Sequence, residues 1–332
     1  MMIRPIAALV TLAVGFVVAA ALSELGVRAA GYHPWISLRL QPVEPTLNDP
    51  DPELGWVSRP GHWRYGPYAP GGPPVEVTIS AERTRRTRLD DSAAPEARRP
   101  ELLLLGCSFT FGVGVSDDET YAWQLQALRP DLDVRNRGTG AYGTLQALWL
   151  LDRVLASGER PARVVYGFIP EHGGRNVGDP GWMKALAMLT GQNIVTIPYC
   201  EIDRDGALRC HPPERYPHWP LREWSAAITL LQDRWYQFGA RGREAAADEV
   251  TRRLVLELAK RSRAAGARFS VLLLSVDAHG REAIVPFARS QGIDVIDCDR
   301  TIRAPDRVPG DLHPNGRVHQ AWAECLAGSL TP

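Results

Sequence analysis

An uncharged apolar run opens the chain, and later residues alternate between short apolar runs and helix-length segments. Residues 5–22 contain no charged side chain. A helix of that length approaches the roughly 30 Å of a bilayer's hydrocarbon core, at about 1.5 Å per residue. With Arg4 held inside by the positive-inside tendency, residues 1–30 are predicted to form a signal anchor or transmembrane helix. The rest of the chain would then be extracytoplasmic, either periplasmic or at the cell surface.

Two other interpretations of this first helix stay open. Residues 19–21 are small, as a signal peptidase requires, although the apolar part of a signal peptide usually spans only about 7–15 residues. A buried core helix is the remaining alternative. The anchor is favoured because residues 23–28 continue the helical pattern without a break.

Residues 31–98 differ in texture from the rest of the chain. Prolines and glycines recur between residues 42 and 74, with one strand-like run at Val75–Ile79. Residues 83–99 mix charges with few apolar side chains, which is typical of an exposed loop or linker. This part is therefore predicted to be an irregular lead-in with a little β-structure.

Residues 99–332 alternate buried strands with helices, as βαβ units do. Such units build a mainly parallel sheet covered on both faces, so the predicted fold class is α/β with three layers. Residues 170–243 interrupt the alternation and are interpreted as an insertion near the carboxyl edge of the sheet. The predicted strands are 102–105, the neighbourhood of Val134, 163–169, 269–276 and 293–296. The predicted helices are 116–128, 144–155, 244–265, 281–290 and 317–326.

The charge and the motifs of the chain argue against several classes of function. The 38 basic and 38 acidic residues give a formal charge of zero, so no overall field attracts nucleic acid. The sequence contains no P-loop and no dinucleotide-binding fingerprint, so no cofactor is predicted. Asp297 and Asp299 follow a predicted strand, but such a pair is usually solvated, and no metal site is predicted.

The cysteines bear on the compartment. Cys200 and Cys210 flank a segment whose central Asp-Gly pair is a strong hairpin signal. Two arms closing on that turn would bring the thiols together, and a disulfide there would fit an oxidising compartment. Two unpaired thiols on a surface hairpin are the alternative. The other three cysteines are interpreted as small buried apolar groups: Cys107, Cys298 and Cys325. A bridge between the last two is a weaker alternative.

The first candidate for chemistry is Ser108. A predicted buried strand runs directly into Gly106 and Cys107, and further glycines follow at Gly112 and Gly114. A serine in a tight strand-to-helix turn can expose its hydroxyl beside backbone N–H donors. The alternative is a serine that only caps the next helix.

The second candidate lies near the other end of the chain. Asp311 and His313 stand two residues apart in a proline-bounded loop. In an extended segment positions i and i+2 face the same way, so the carboxylate can orient the imidazole. A serine hydroxyl is a poor nucleophile at neutral pH and needs a base whose tautomer is fixed by a second group. A surface loop with a lone histidine is the alternative interpretation.

Three blocks, in this order along the chain, resemble the motifs of the SGNH (GDSL-like) hydrolase family. The blocks are Gly-Cys-Ser-Phe-Thr-Phe-Gly at 106–112, Asn-Arg-Gly-Thr-Gly-Ala-Tyr-Gly-Thr at 136–144 and Asp-Leu-His-Pro-Asn at 311–315. The resemblance covers about residues 100–330, and the combination is more specific than any single block.

The resemblance implies a flavodoxin-like α/β/α sandwich that hydrolyses or transfers acyl groups through a serine. By position it makes Ser108 the nucleophile, His313 the base and Asp311 the carboxylate that orients the base. It also makes the backbone N–H of Ser108 one oxyanion donor.

The first two blocks depart from the family pattern at one position each. Cys107 stands where the first block usually has Asp. Ala141, preceded by Gly140, stands where the second block usually has an oxyanion glycine. An alanine still offers its N–H if its backbone takes the required conformation.

The segment after the strand predicted at 163–169, where the family has a further motif, shows the largest departure. Glu171 and His172 follow the strand predicted at 163–169, where the family commonly presents Asn followed by Asp. A glutamate aimed at a developing oxyanion would oppose it. His172 is therefore a candidate for the missing donor, with Arg175 and Asn176 as nearby substitutes and an altered site as the remaining alternative.

These patterns together predict a membrane-tethered serine esterase that acts outside the cytoplasm on ester-bearing lipids or O-acylated glycans. Its partners would be such a small-molecule, lipid or glycan ester and, through the first helix, the membrane. One alternative is an acyltransferase that passes the acyl group to a hydroxyl of a cell-envelope glycan. The other is a non-catalytic glycan-binding envelope protein that keeps the fold.

Overall fold

The computed structural model describes residues 3–36, 47–66, 72, 74–89, 99–189 and 195–330. The helices are α1 (Ile3–Ala29), α2 (Ser108–Phe111), α3 (Tyr121–Leu128), α4 (Thr144–Ala156), α5 (His172–Asn176), α6 (Pro180–Leu189), α7 (Ala226–Ala245), α8 (Ala247–Ala264), α9 (Ala278–Ser290) and α10 (Gly316–Ser329). The strands are β1 (Asn48–Asp51), β2 (Gly55–Ser58), β3 (Gly61–Tyr65), β4 (Val75–Ile79), β5 (Glu101–Leu105), β6 (Asp133–Asn136), β7 (Arg163–Phe168), β8 (Thr196–Ile202), β9 (Leu208–Arg215), β10 (Arg268–Leu273) and β11 (Asp294–Asp297).

The described residues fall into two compact units. The first, here called the anchor unit, is drawn from residues 1–40, 180–195 and 215–242. The second, called the sheet unit, is drawn from residues 41–179, 196–214 and 243–332. The segment 170–243 therefore contributes to both units.

Five parallel strands form the centre of the sheet unit, in the order β11-β10-β7-β5-β6. Counted along the chain from β5, this is the 2-1-3-4-5 order of flavodoxin-like folds. Helices α4, α8 and α9 cover one face, and α3 and α10 cover the other. The predicted three-layer α/β/α sandwich is confirmed.

Strand β5 shows why these residues form a central strand. Leu103 and Leu105 belong to the core on the α4 and α8 side, whereas Leu102 and Leu104 belong to the core on the α3 and α10 side. All four side chains are fully buried. A strand covered on both faces reads as a continuous apolar run, which is the pattern present here.

The helix predicted over residues 116–128 is divided in the structure. A 3-10 turn spans Asp117–Glu119, and α3 starts only at Tyr121. Ser116 and Glu119 form a capping box around the first turn, and the side chain of Thr120 accepts the N–H of Trp123 to cap the second. Two caps within five residues therefore end one helical segment and begin another.

The lead-in contains more structure than the sequence indicated. It supplies the antiparallel pairs β1–β2 and β3–β4. The prediction of an exposed linker over 83–99 is wrong for Thr84, Arg85 and Thr87, which are buried. They are buried because this segment pairs with β6, where the N–H of Arg85 donates to Asn136 O at 2.8 Å. Residues 37–46, 67–71, 73 and 90–98 of the predicted lead-in lie outside the described residues.

Helix α1 contains one segment, Ala8–Ala29, that is long and apolar enough to cross a membrane. Its mean hydropathy is 2.1, and none of that segment is buried in the structure. An N-terminal signal sequence can meet the same criteria of length and composition. The helix is therefore compatible with a membrane anchor and with a cleaved leader.

Two disulfides are present in the sheet unit. Cys200 and Cys210 bridge β8 and β9, with their Cα atoms 4.0 Å apart. Cys298 and Cys325 are also bridged, with Cα atoms 5.8 Å apart, so interpreting them as unpaired apolar groups is wrong. The end of β11 and helix α10 come together only in the folded sheet unit, which the spacing of 27 residues does not reveal. Cys107 is free and buried.

Candidate active site

Strand β5 ends in a tight turn that makes Ser108 the first residue of α2. Gly106 has a φ of 153°, and a Cβ at that position would lie 2.3 Å from Thr110 Oγ1, so the turn requires glycine. Cys107 is the extended residue that precedes the helix. The Ser108 side chain is almost wholly buried, and its backbone N–H has no acceptor among the described residues.

Asp311 and His313 form a hydrogen-bonded pair in the loop before α10. His313 Nδ1 lies 2.5 Å from Asp311 Oδ1, and the backbone N–H of His313 donates to the same oxygen at 2.7 Å. The carbonyl of His313 in turn accepts the N–H of Val308 at 2.8 Å. Because Nδ1 faces the carboxylate, Nε2 is the ring nitrogen left to accept a proton from another group.

The carboxyl of Asp311 is held in its ionised form. Burial by itself would raise its pKa, but hydrogen bonds from the His313 side chain and from the backbone N–H groups of His313 and Leu312 outweigh burial and lower the pKa below its ordinary value. A carboxylate that stays ionised can hold the imidazole in one tautomer and stabilise its protonated form.

The two ends of the sheet unit meet beside Ser108. The ring of His313 packs edge-on against Phe109, the residue after Ser108, with ring centroids 6.0 Å apart. A Cβ at Gly114 would lie 2.9 Å from Val308 Cγ2, so the C-terminal loop packs directly on the segment that α2 begins. Within the described chain, no hydrogen bond joins the Ser108 hydroxyl to His313.

The second block offers two backbone N–H groups beside this turn. The N–H of Thr139 donates to Gly106 O at 3.1 Å, and that of Tyr142 donates to Thr139 O at 3.3 Å. Those of Gly140 and Ala141 have no acceptor among the residues that the structure describes. The loop is thus tied to the Ser108 turn and keeps two donors available.

Ala141 adopts a conformation that alanine normally avoids. Its φ is 68°, in the left-handed region, where a Cβ costs roughly 1–2 kcal/mol. Strain of this kind persists only where the surrounding structure imposes it, and it is concentrated at functional sites. Alanine here takes a backbone conformation that glycine adopts without this cost.

The surrounding contacts show what imposes this conformation. Trp56 Nε1 donates to Gly140 O at 3.0 Å, and the Tyr142 hydroxyl donates to the carbonyl of Trp56. Arg175 Nη1 donates to Tyr142 O at 3.0 Å. The carbonyls on both sides of Ala141 are therefore fixed by side chains from β2 and α5.

The polar residues that follow β7 do not face the Ser108 turn as free donors. Glu171 is exposed. His172 is fully buried, and its Nδ1 lies 2.6 Å from the hydroxyl of Tyr166. Burial, with the nearby charge of Arg175, lowers the pKa of His172 well below its ordinary value, so the ring is neutral.

Asn176 is committed to the start of α4. Its Oδ1 accepts the N–H groups of Thr144 and Leu145 at 2.6 and 3.2 Å, and its Nδ2 donates to Thr144 Oγ1 and Thr251 Oγ1, each at 2.9 Å. The side chain therefore has no donor left for an oxyanion. It fixes the helix that follows the second block.

Arg85, which the sequence analysis missed, organises the loop after α2. It is 2% exposed, and its Nε pairs with Asp117 at 3.0 Å. Its Nη atoms donate to three loop carbonyls, those of Phe111, Gly112 and Val115, at 2.8, 2.5 and 2.7 Å. Nothing in the local sequence separates this arginine from the many exposed ones.

The pair Asp297 and Asp299 is neutralised by an arginine. Arg281 donates to Asp297 Oδ2 at 2.6 Å and to Asp299 Oδ2 at 2.9 Å. No group of three or more His, Cys, Asp or Glu in the described part of the chain could hold a metal ion.

Comparisons with known proteins found similarity to solved structures only. No family model and no curated relative matches the chain. Several of the similar solved structures are named as GDSL lipolytic proteins or esterases. They include a psychrotrophic esterase from Pseudoalteromonas sp., with a TM-score of 0.41 and 14% identity, covering 69% of this chain and 95% of that one. A member of the lipolytic G-D-S-L family from Veillonella parvula has a TM-score of 0.39 and 11% identity, and the match covers 69% of this chain and 96% of that one. A GDSL-like lipase from Bacteroides thetaiotaomicron has a TM-score of 0.35 and 10% identity, and the match covers 72% of this chain and 91% of that one.

Proposed function

We propose that the chain is a membrane-tethered serine ester hydrolase of the SGNH type. The observation that carries the proposal is the Asp311–His313 pair, bonded at 2.5 Å and packed against the residue that follows Ser108. A nucleophile, a base and a group that orients the base are the three parts of an acyl-transfer site.

Each part has a defined role in the reaction. Ser108 Oγ attacks the ester carbonyl while His313 Nε2 accepts its proton, and the protonated imidazole then gives that proton to the leaving alcohol. Asp311 holds Nδ1 and stabilises the imidazolium. Water, activated by the same imidazole, then releases the acyl group from Ser108.

The developing oxyanion is met by backbone donors. The N–H groups of Ser108, Gly140 and Ala141 have no acceptors among the described residues near the turn, and fixed donors of this kind contribute roughly 2.7–4 kcal/mol each. His172 has no part in this proposal, because Tyr166 holds its Nδ1 and its ring is fully buried.

The same proposal places the reaction outside the cytoplasm. Two disulfides in the sheet unit fit an oxidising compartment, and an apolar N-terminal helix fits a tether to the membrane. The substrates are ester-bearing lipids or O-acylated glycans of that compartment.

Fluorophosphonate labelling tests the proposal directly. The reagent forms a stable adduct only with an activated serine, so we expect one adduct per chain, located at Ser108 by peptide mass spectrometry. Ser108→Ala abolishes it, and Ser290→Ala, which removes an exposed serine of α9, leaves it unchanged. A folded parent chain with no adduct at Ser108 contradicts the proposal.

A second candidate function is a glycan-binding envelope protein without catalysis. The absence of a Ser108–His313 hydrogen bond within the described residues favours it. This candidate predicts no adduct together with retention on an O-acetylated polysaccharide that Ser108→Ala does not change. For the enzyme, a series of nitrophenyl esters beside the same polysaccharide identifies the acyl chain length and the alcohol.

A further inference from the structure

Helix α7 has an inner face of small and polar side chains and an outer face with large apolar ones. Against the rest of the anchor unit it packs Thr229 and Gln232, which are 5% and 0% exposed. Asp233 also points inward, and it pairs with Lys184 of α6. An ordinary surface helix of a water-soluble domain buries its apolar side chains and exposes its polar ones. On helix α7 the four buried side chains are two alanines and two polar residues, whereas three large apolar side chains are exposed.

Large apolar side chains occupy the outer face. We call the following four residues the outer stripe: Trp224, Leu231, Trp235 and Phe238. They are 79%, 60%, 60% and 71% exposed in that order. The last three are spaced four and three residues apart, which places them on one side of the helix. Leaving a leucine or phenylalanine in water forgoes roughly 1.5–3 kcal/mol of burial, so a contiguous stripe indicates an apolar partner.

The start of α7 is fixed to the end of α1 inside the anchor unit. Glu24 of α1 accepts the hydroxyl of Ser225 at 2.7 Å and the N–H groups of Ala226 and Ala227 at 2.9 and 3.0 Å. This carboxylate caps the N-terminus of α7, where the helix dipole favours a negative charge. The two helices are therefore joined at a defined level.

That level is the end of the apolar part of α1. Glu24 follows the uncharged run of residues 5–22 by two positions, about 3 Å along a helix axis. Arg28 pairs with Glu24 at 2.5 Å and donates to the carbonyl of Trp224 at 2.9 Å. Tryptophan at the end of a membrane span is typical of the membrane–water interface, and an arginine there can extend its charged group into water.

Positive charge borders the outer stripe. Arg234 and Arg241 are exposed and lie seven residues apart on one flank of the helix. Within the described chain neither forms an ion pair, and the guanidinium of Arg241 lies 5.3 Å from the ring centre of Phe238. An apolar stripe with cations beside it matches acyl chains under anionic headgroups.

We propose that the outer stripe is embedded in the surface of the same bilayer that α1 crosses. Helix α7 then lies on the membrane as an amphipathic helix, and the anchor unit has two lipid contacts instead of one. The inference rests on the membrane tether of the proposed function. Lipid is the occupant because the stripe begins at the junction with α1 and is bordered by cations without ion-pair partners among the described residues.

Nitroxide accessibility of the full-length chain tests this proposal in nanodiscs of phosphatidylcholine and phosphatidylglycerol. Labels are attached singly to Trp235→Cys, Phe238→Cys and Gln237→Cys, with Val14→Cys as the reference inside α1. Each variant replaces an exposed side chain, and the unmodified chain with its buried Cys107 serves as the labelling blank. Oxygen reports exposure to lipid, and a water-soluble nickel chelate reports exposure to water.

We expect the labels at 235, 238 and 14 to favour oxygen severalfold over the nickel chelate, and the label at 237 to favour nickel. If the label at 14 favours oxygen while those at 235 and 238 favour nickel, as the label at 237 does, docking of α7 is overturned and the tether stands. If 14 also favours nickel, both the tether and the docking fail. Labels at 235 and 238 shielded from both reagents, with dipolar broadening between chains, would show that a second copy covers the stripe, and this also overturns the proposal.

Discussion

The consecutive helices α7 and α8 differ in the kinds of side chain that they bury and expose. Helix α8 buries apolar side chains of the sheet-unit core, including Val250, Leu254 and Leu258, and leaves Lys260 in water. Helix α7 buries only small or polar side chains and exposes three large apolar ones, Leu231, Trp235 and Phe238. The sheet unit, which carries the candidate site, thus follows the pattern of a domain surrounded by water, whereas α7 of the anchor unit follows the pattern that we propose for a helix on a membrane.

The contrast separates chemistry from location. All candidate site residues belong to the sheet unit, and the outer stripe belongs to the anchor unit. Changes in one unit are therefore expected to leave the other's property intact, and mutations in each unit can test this separation.

The largest expected effect is on catalysis. Ser108→Ala should lower the turnover of a short soluble ester by at least about 10³-fold, because the covalent route is lost. The triple change Leu231→Ser, Trp235→Ser and Phe238→Ser should leave that turnover within about twofold, since none of the three touches the site. Initial rates in detergent measure both, and equal losses would break the comparison.

Stability gives the next largest effect. Leu254→Ala in α8 should lower the free energy of unfolding by roughly 2–5 kcal/mol, because it leaves a cavity in the core. Leu231→Ala in α7 should change it by no more than about 0.5 kcal/mol, because that side chain is exposed. Denaturant unfolding in one detergent compares the two leucines. A loss at Leu231 as large as that at Leu254 would mean that the outer stripe is packed against protein.

Buried histidine makes the sheet unit sensitive to acid. Burial, with the charges of Arg85 and His313, lowers the pKa of His319 in α10 to about 3. In the unfolded chain this histidine takes up a proton near pH 6.5, whereas in the folded chain it stays neutral down to about pH 3. Its contribution to the free energy of unfolding is therefore fully present above pH 6.5 and is lost as the pH falls toward 3. His319→Phe should reduce this slope by about 1.4 kcal/mol per pH unit between about pH 6 and 4.

Denaturant unfolding at several pH values measures the slope. His279→Phe, at an exposed position of α9, is the matched control and should leave the slope unchanged. An unchanged slope in His319→Phe would show that this histidine is protonated in the folded chain.

The smallest expected effect concerns Ala141. Ala141→Gly removes a Cβ from the left-handed region and should raise the free energy of unfolding by up to about 1 kcal/mol. Ala321→Gly in the middle of α10 should lower it by a similar amount, because glycine is unfavourable inside a helix. Thermal unfolding reports both signs. A loss of stability in Ala141→Gly would mean that the positive φ costs nothing in this loop.

Periodicity and turn chemistry were sufficient to predict the sheet and the position of Ser108. The four leucines of β5 predict a doubly covered strand, and Gly106 predicts the turn that ends it. The spacing of Asp311 and His313 predicts a paired carboxylate and imidazole, which the structure contains as a hydrogen bond. Their roles in catalysis stay predictions.

Other features of the site depend on contacts between distant segments. Arg85 was predicted to be exposed, yet it holds three loop carbonyls around the Ser108 segment. Trp56 fixes the loop of Gly140 from the lead-in, although its own sequence gives no sign of that contact. His172 was a candidate oxyanion donor, but β7 places Tyr166 against its ring.

The sequence by itself determined the five strands of the central sheet, most of the helices that cover them, the turn at Ser108 and the apolar first helix, because each is recorded in side chains close together along the chain. Only the tertiary structure decided that Cys298 meets Cys325, that Arg85 is buried and that α7 turns its polar face inward. The physical reason is that burial depends on what packs against a surface, and the packing partner comes from a segment that local patterns do not identify.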